Sequence, residues 1–304
     1  MEQVQLILGM PSSGKSTFIA ALGEVLMSDD VESSFKTEFL DDAQKHMVAL
    51  HDRWLTFQEL DRTKTGQENW LSFHLIARDG TRALIQLPDL SGESIRDAVV
   101  TGLYPNELHD ALADCNGILL FTKTSTKFDD VLLYEVSDLI QASPTETAAE
   151  PAAETTASSQ PEDGKPTNDA KTPPVAPRFS AQDMPEQPKI VQLLQTVTDL
   201  RPAKRRRLAI ILSAWDTVDD SVTPDEWFDQ NRTMLAQYLE SNESHWDVRV
   251  YGISAQGGSL PRDKKRLQKI IKPSERVSIV GHGALTHDLC APIKWLMQNP
   301  SGPV

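Results

Sequence analysis

The sequence predicts an α/β fold, with a mostly parallel six-stranded sheet and helices on both faces. Three observations support this prediction. Residues 9–17 read GMPSSGKST and lie between an apolar run at 4–8 and an apolar-periodic segment at 18–27, which is the order strand, glycine loop, helix. Strand and helix patterns alternate along most of the chain, and crossovers between alternating elements give parallel strands. Residues 117–122 read GILLFT, a continuous apolar run typical of a strand covered on both faces.

The remaining elements follow from the same patterns. An Asp79-Gly80 turn joins two strand patterns into a hairpin. Thr223 is a good N-cap residue before a helix that begins at Pro224. The other predicted strands are 70–76, 82–87, 208–212 and 247–253, the last in the chain. The predicted helices are 39–60 in part, 105–113, 129–142, 190–200, 224–239 and 284–297.

Composition restricts the partners and the compartment. The chain has 304 residues, a net charge of −14 and a pI near 4.9, which argues against nucleic acid or an anionic membrane as its partner. Its two cysteines are far apart and fit a reducing compartment. No apolar run approaches the roughly 18 residues of a membrane span, and the chain starts with a core strand instead of a signal peptide. We therefore expect a soluble, cytoplasmic protein.

We expect residues 1–304 to form one domain that carries two insertions. Residues 143–188 hold nine of the 19 prolines with many Ala, Thr, Glu and Ser, and such a segment buries too little apolar surface to offset its ordering entropy. Because sheet strands lie on both sides, the sequence predicts a disordered insertion there. Residues 257–278 are predicted to be a basic loop insertion. The basic cluster at 201–207 is predicted to be a solvated loop.

The glycine loop has the spacing G-x-x-x-x-G-K-S of a phosphate-binding loop. Gly9 and Gly14 let the backbone approach phosphate closely, and amides at the following helix N-terminus point at its oxygens. Lys15, expected to be a solvent-side charge, would reach the β- and γ-phosphates, and the Ser16 hydroxyl would ligate Mg²⁺. The loop residues expected to contact nucleotide are Gly9, Ser13, Gly14, Lys15, Ser16 and Thr17.

A second motif follows the hairpin. Residues 88–92 read PDLSG, so Asp89 stands at the carboxyl end of a predicted strand with Gly92 three residues later. Asp89 is placed to hold Mg²⁺ through water, and the Gly92 amide is placed to bond a γ-phosphate. D-x-x-G alone is a weak signal, but its place after a hairpin and a phosphate loop makes it more specific.

The order of motifs resembles that of the Ras-like GTPases of the TRAFAC class. The chain has a phosphate loop, a threonine-bearing loop, D-x-x-G after a hairpin, an Asp motif after the fifth predicted strand and Ser-Ala after the sixth. Within that class it looks most like the bacterial double-GTPase group of conflict or defence operons. The resemblance covers the whole chain apart from the insertions and implies a Ras-like P-loop NTPase fold that binds GTP or GDP with Mg²⁺.

Carried over by position, the resemblance assigns roles to single residues. Asp216 matches the Asp of the family's Asn-Lys-x-Asp motif, whose carboxylate accepts the two donors of guanine. Ser254 and Ala255 match the family's Ser-Ala, whose backbone amide meets the guanine carbonyl. Thr65 matches the switch threonine that ligates Mg²⁺, with Thr63 as its rival. The implied metal ligands are Ser16, Thr65 and Asp89, and the implied nucleotide contacts outside the loop are Gly92, Asp216, Ser254 and Ala255.

The sequence departs from the family at the base motif and in the second switch. Ser213 and Ala214 replace the Asn and Lys of the base motif, so the lysine along the guanine face is missing and Ser213 is a shorter bridge to the phosphate loop. Glu93 replaces the glutamine that orients the attacking water, and a carboxylate near a γ-phosphate is electrostatically unfavourable unless it is protonated or paired. From the base motif we expect weaker guanine binding than in Ras, and from Glu93 we expect hydrolysis that is slow or needs another group.

Arg62 adds a candidate catalytic group. It lies three residues before Thr65, and Arg-x-x-Thr resembles the arrangement in heterotrimeric G-protein α subunits, where an arginine supplied in cis stabilises charge on the γ-phosphate. The alternative is an exposed arginine in a loop. The candidate catalytic set is Arg62, Thr65 and Glu93.

Three functions stay open from the sequence. The first is a GTP-binding switch that hydrolyses GTP slowly or with partner stimulation. The second is a P-loop ATPase or kinase, although no arginine-bearing lid with substrate-binding acids is evident. The third is a pseudo-GTPase scaffold that acts by protein contacts. The expected partners are guanine nucleotide and a protein effector or activating partner, and a homo- or heterodimer through the G domain stays open.

Overall fold

The computed structural model describes residues 3–28, 31, 35–39, 41–58, 70–88, 93–124 and 184–298. The chain divides into two units, and the unit formed by residues 130–183 lies outside the described ranges. The predicted helix at 129–142 and most of the predicted insertion at 143–188 also lie outside the described residues.

One sheet of eight strands organises the described residues, in the order β2-β3-β4-β1-β5-β6-β7-β8. Strands β4, β1, β5, β6 and β7 pair in parallel, whereas β2, β3 and β8 join by antiparallel pairing. The strands are β1 Gln3–Gly9, β2 Phe35–Phe39, β3 Leu71–Ala77, β4 Arg82–Leu87, β5 Gly117–Lys123, β6 Arg206–Ser213, β7 Trp246–Ser254 and β8 Ser278–Val280. The carboxyl ends of the five parallel strands therefore meet at one edge of the sheet.

Helices cover both faces of the sheet. They are α1 Lys15–Met27, α2 Asp41–Leu55, α3 Glu93–Thr101, α4 Asn106–Asp114, α5 Glu186–Leu200, α6 Pro224–Asn231, α7 Thr233–Glu240, α8 Lys264–Leu267 and α9 Ala291–Met297. Two short 3₁₀ helices lie at Trp215–Thr217 and Pro273–Arg276. Ile7 packs into one core with residues of α1 and α9, whereas its neighbours Leu6 and Leu8 pack into the other core with α4 and α5. Successive strand side chains point to opposite faces, so the continuous apolar strands serve both cores.

The predicted fold class is confirmed, but the predicted strand count of six is wrong because β2 and β8 extend the sheet at its two edges. Strand β2 reads FKTEF, and its two charged residues give no buried-strand signal. Strand β8 has three residues and overlaps the predicted basic loop insertion, which also contains α8. The prediction that 247–253 is the last strand is corrected for the same reason.

The predicted helix at 224–239 is broken at Arg232. This side chain is 3% exposed, and its guanidinium donates from Nε to the Thr122 hydroxyl at 3.3 Å and from Nη2 to the Lys123 carbonyl at 2.8 Å. Reaching the end of β5 requires the backbone at Arg232 to leave helical geometry, with φ −130° and ψ 46°. The helix predicted at 284–297 likewise begins only at Ala291.

The solvated-loop prediction for 201–207 is wrong for Arg206 and Arg207. Arg206 begins β6, is 2% exposed, and donates to the Ala113 and Cys115 carbonyls at the C-terminal end of α4. A helix C-terminus leaves carbonyls without helical partners, which a cation satisfies well. Burial lowers the pKa of the Arg206 guanidinium and raises the pKa of the Cys115 thiol beneath it to about 11.

The start of helix α5 corrects one further boundary. Helix α5 begins at Glu186, so the last residues of the predicted insertion are helical, and Pro188 stands in the first turn where no helical N–H partner is lost. Within the described ranges, no helix is long and apolar enough to cross a membrane.

Candidate nucleotide-binding site

The phosphate loop connects the end of β1 directly to the start of α1. Gly14 takes the N-cap position with φ 100°, a left-handed conformation that favours glycine, and has no side chain with which to cap the helix. A Cβ on Gly9 would lie 2.6 Å from the Ser13 hydroxyl and 2.8 Å from the Phe121 carbonyl oxygen, so only glycine fits there. The first turn of α1 reads KSTF and carries no acid. These features place the N-terminus of α1, whose dipole favours an anion, directly after the loop.

Lys15 is held at the base of this loop. Its ammonium donates to the carbonyl oxygens of Gly9 at 2.8 Å and Met10 at 3.2 Å, and the residue is only 2% exposed. The expectation of a solvent-side charge is therefore wrong. A cation bound to its own loop is fixed in place before any phosphate arrives, which is the preorganisation that anion binding needs. Ser16 follows as the second residue of α1.

The base-motif residues lie at the carboxyl ends of β6 and β7. Asp216 stands in the 3₁₀ turn Trp215–Thr217, which Ala214 enters with a left-handed φ of 59°. The Ser254 hydroxyl donates to Asp216 Oδ1 at 2.5 Å and accepts the Gly257 amide at 3.1 Å. The carboxylate is thus oriented by the neighbouring strand, and Asp216 itself is exposed.

Ser213 links the base motif to the phosphate loop, as predicted. Its hydroxyl donates to the Ser13 carbonyl at 2.7 Å, and its Cβ lies 2.8 Å from where a Cβ on Gly14 would stand. A further contact, which the sequence did not predict, joins the end of β5 to the base motif. There the Thr124 hydroxyl lies 3.0 Å from the Ser213 carbonyl and 3.1 Å from the Ala214 carbonyl. A lone threonine after a strand carries no sequence signal for this role.

A cleft of about 570 Å³ joins the two sets of residues. Gly14 and Thr17 line one part, and Asp216 and Ala255 line another, so the predicted phosphate and base contacts border the same space. Lining residues that were not predicted from the sequence include Ser12, Gln58, Lys123, Thr217, Leu260 and Arg262. The volume is ordinary for a small-molecule site. The phosphate loop has room only for glycine at position 9 and is held by the Lys15 ammonium, and these features suit a nucleotide.

The switch residues are only partly placed. Arg62, Thr63, Thr65, Asp89 and Gly92 all lie outside the described residues. Glu93 is described and is the first residue of α3. A carboxylate in the first turn of a helix is stabilised by the helix dipole, so its position has a structural reason besides any part in hydrolysis.

The fold and this cleft define the class as a P-loop nucleotide-binding protein. The chain belongs to the Double-GTPase 1 family, whose model matches residues 6–296. This membership confirms the predicted Ras-like resemblance and the double-GTPase group within it.

Among solved structures, the chain is similar to a bacterial selenocysteine-specific elongation factor, EF-Sec, and to the GTPase-like domain of S. cerevisiae Ski7 bound to GTP. Identity to EF-Sec is 13% and the TM-score 0.33, with 88% of this chain and 28% of that chain covered. Identity to Ski7 is 14% and the TM-score 0.39, with 85% and 44% covered. The chain therefore spans less than half of either of these structures. No curated protein matches it.

Proposed function

We propose that this protein is a Mg²⁺-dependent GTP-binding switch that hydrolyses GTP to GDP and phosphate, slowly or with stimulation by a protein partner. The observation that carries the proposal is one cleft that is lined both by phosphate-loop residues and by Asp216. Family membership supports the guanine nucleotide, and the arrangement of groups along the cleft supports its orientation.

The phosphates would lie at the N-terminus of α1. Backbone amides there and the Lys15 ammonium supply the positive charge that a triphosphate needs. Mg²⁺ prefers oxygen ligands, and Ser16, Thr65 and Asp89 are the residues we assign to it. The bound ion would neutralise charge between the β- and γ-phosphates.

The base would lie between the ends of β6 and β7. Guanine presents two donors on one edge, the ring N–H and the exocyclic amine, and a carboxylate with several lone pairs can accept both. The Ser254 hydroxyl occupies only one lone pair of Asp216 Oδ1. The Ala255 amide is assigned to the guanine carbonyl. Adenine has an amine in place of that carbonyl and an acceptor in place of the ring N–H, so this site would reject it.

Hydrolysis would depend on the switch residues. Thr65 is assigned to Mg²⁺, Arg62 to charge stabilisation on the γ-phosphate, and Glu93 to the position beside the attacking water. Glu93 begins α3, and a carboxylate is a poor substitute for an amide that orients water without repelling phosphate. This favours a slow intrinsic rate and a partner that completes the site.

A competition experiment tests the binding part of the proposal. Fluorescent GDP is bound to the protein with Mg²⁺ and displaced by GTP, ATP or ITP. We expect GTP to displace it at a concentration at least about tenfold lower than ATP, and EDTA to weaken binding. Equal displacement by ATP and GTP would instead support an ATPase or kinase.

Single-turnover phosphate release tests the chemical part. Protein in excess over GTP should release one phosphate per bound nucleotide over minutes to hours. Tight GTP binding with no release, including after addition of cell extract, would support the pseudo-GTPase alternative.

A further inference from the structure

Trp54 connects helix α2 to the base end of the cleft. Its side chain is fully buried, and the indole Nε1–H donates to the Ala255 carbonyl at 2.9 Å, although the two residues are 201 positions apart in sequence. Ala255 is the residue whose amide is assigned to the guanine carbonyl. The indole therefore holds the peptide that follows Ala255, and the peptide that precedes Ala255 carries the N–H assigned to guanine.

The backbone at Ala255 is held on both sides. On one side, Ser254 ends β7, is paired with Ser278 of β8, and is bonded to Asp216 through its hydroxyl. On the other side, the peptide that carries the Ala255 carbonyl is held by Trp54. Contacts on both sides of Ala255 restrain its φ and ψ, and with them the direction of its N–H.

Trp54 is in turn fixed by a buried cation. The Arg276 guanidinium lies 3.9 Å from the Trp54 ring centroid and 4.5 Å from that of Phe57, and the residue is 4% exposed. The Arg276 carbonyl also packs against Gly257, two residues after Ala255, because a Cβ on Gly257 would lie 2.5 Å from it. A cation over an aromatic face is attracted more strongly when it is desolvated. The indole is thus clamped at its face while its N–H is aimed at Ala255.

We propose that Trp54 is a positioning residue for base recognition, which sets the direction of the Ala255 amide toward the guanine carbonyl. The inference rests on the proposed function. Trp54 acts on the contact to the guanine carbonyl, whereas Asp216 reads the amine side of the base, so the two residues affect different affinity ratios.

The test compares two affinity ratios in Trp54→Phe, which keeps an aromatic face for Arg276 and loses the N–H. The GTP:ATP ratio should fall about threefold to tenfold, the value of one hydrogen bond. The GTP:ITP ratio should stay as in the wild type, because ITP lacks only the exocyclic amine assigned to Asp216.

Trp246→Phe is the matched control. Trp246 is also buried, at 2% exposure, but its indole nitrogen has no hydrogen-bond partner among the described residues. Both ratios should stay unchanged in this variant. An unchanged GTP:ATP ratio in Trp54→Phe, or an equal fall in both ratios, would overturn the proposal.

The wild-type protein provides a second measurement in case Trp54→Phe does not fold. The Trp54 indole N–H should exchange with solvent deuterium more slowly in the presence of Mg-GDP, because ligand binding stabilises the bonded conformation. Exchange that GDP leaves unchanged would overturn the proposal. If the wild type itself does not distinguish GTP from ATP, the proposed function fails instead, so the two failures are separable.

Discussion

The two ends of the cleft are built in different ways. The phosphate loop at one end is one continuous stretch, residues 9–17, in which a strand, a loop and a helix follow one another. The base end is assembled from Asp216, Ala255 and Thr124, which come from the ends of three strands, and from Trp54 at the end of α2. The phosphate loop is therefore a local feature of the sequence, whereas the base end is assembled by tertiary contacts.

This difference explains how the base end can depart from the family pattern and keep its connections. Ser213 replaces an asparagine, yet its shorter side chain still reaches the Ser13 carbonyl because Gly14 leaves room for close approach. Ala214 replaces a lysine, and the turn that it starts is held by Thr124. The phosphate loop has no such alternatives, because Gly9 has no room for a side chain and the Lys15 ammonium bonds carbonyls of the loop itself.

The largest effect should come from Lys15→Ala. It removes a preorganised cation from the phosphates, so we expect GTP affinity to fall at least about 100-fold, or about 2.7 kcal/mol. The Gly9 and Met10 carbonyls also lose their partner, so the free energy of unfolding should fall by about 1–3 kcal/mol.

Calorimetry with Mg-GTP and thermal unfolding measure the two effects of Lys15→Ala. Lys36→Ala, which removes an exposed lysine of β2, is the control for the charge change and should alter neither quantity. If Lys15→Ala bound GTP as tightly as the wild type, the phosphate-loop assignment would be wrong.

Asp216 tests the base end. Asp216→Ala should lose the preference for GTP over ATP, and Asp216→Asn should shift the preference toward xanthine nucleotides, because an amide can donate where xanthine has an acceptor. We expect a change of at least about tenfold in the GTP:XTP ratio, the value of one bond to a charged group.

Competition binding measures the effect of these variants, with Asp220→Asn as the control, an exposed acid after the same turn. Unchanged base preference in both Asp216 variants would mean that another residue reads the base. The phosphate-end assignment would survive that result, because different residues form the two ends of the cleft.

Arg62 tests the chemistry at the phosphate end. Arg62→Ala should slow single-turnover hydrolysis by at least about tenfold, near 1.4 kcal/mol of transition-state stabilisation, with little change in GTP affinity. Arg201→Ala is the control, because Arg201 is an exposed arginine paired with Asp114. Hydrolysis at the wild-type rate would leave a partner-supplied arginine or a protein that only binds.

Glu93→Gln distinguishes two roles of the carboxylate in the same assay. The rate should stay the same or rise if the charge is a handicap near the γ-phosphate, and fall if Glu93 is a working base. Helix α3 should be slightly less stable in either case, because the variant loses a favourable charge at its first residue.

Ser213→Ala should have a smaller effect, which involves both the base end and the phosphate end of the cleft. It removes the bond between the base motif and the phosphate loop, so unfolding should become easier by about 1 kcal/mol and GTP affinity should fall a few-fold. Ser274→Ala is a close control, because the Ser274 hydroxyl is buried without a hydrogen-bond partner among the described residues. Equal destabilisation in the two variants would mean that the Ser213–Ser13 bond contributes nothing beyond packing.

Sequence patterns could predict the parts that depend on neighbours in the chain. The phosphate loop, the hairpin turn at Gly80 and the apolar strand β5 were predicted because spacing and hydrophobicity determine them locally. The break at Arg232 and the Trp54–Ala255 bond were not, since each depends on a partner more than 100 residues away. The buried Arg206 was missed for a related reason, because a charge run looks solvated until the carbonyls of α4 are beside it.

The smallest effect should come from the long segment that separates β5 from α5. Because α5 begins at Glu186 and Thr124 contacts the base motif, only residues 143–183 should be replaced, by a short Gly/Ser linker. Loop-closure entropy changes slowly with length, so GTP affinity and the free energy of unfolding should each stay within about 1 kcal/mol of the wild type. Thr124→Val in the full-length chain is the contrasting variant, and it should weaken GTP binding although it alters only one hydroxyl.

Hydrogen exchange on the wild type checks the premise of this replacement. The proline-rich composition predicts rapid amide exchange across 151–177. Slow exchange there would mean that the segment is structured. A large loss of GTP affinity after the replacement would mean that the segment contributes to nucleotide binding. A lost protein partner with nucleotide affinity intact would instead assign the segment to interactions outside the cleft.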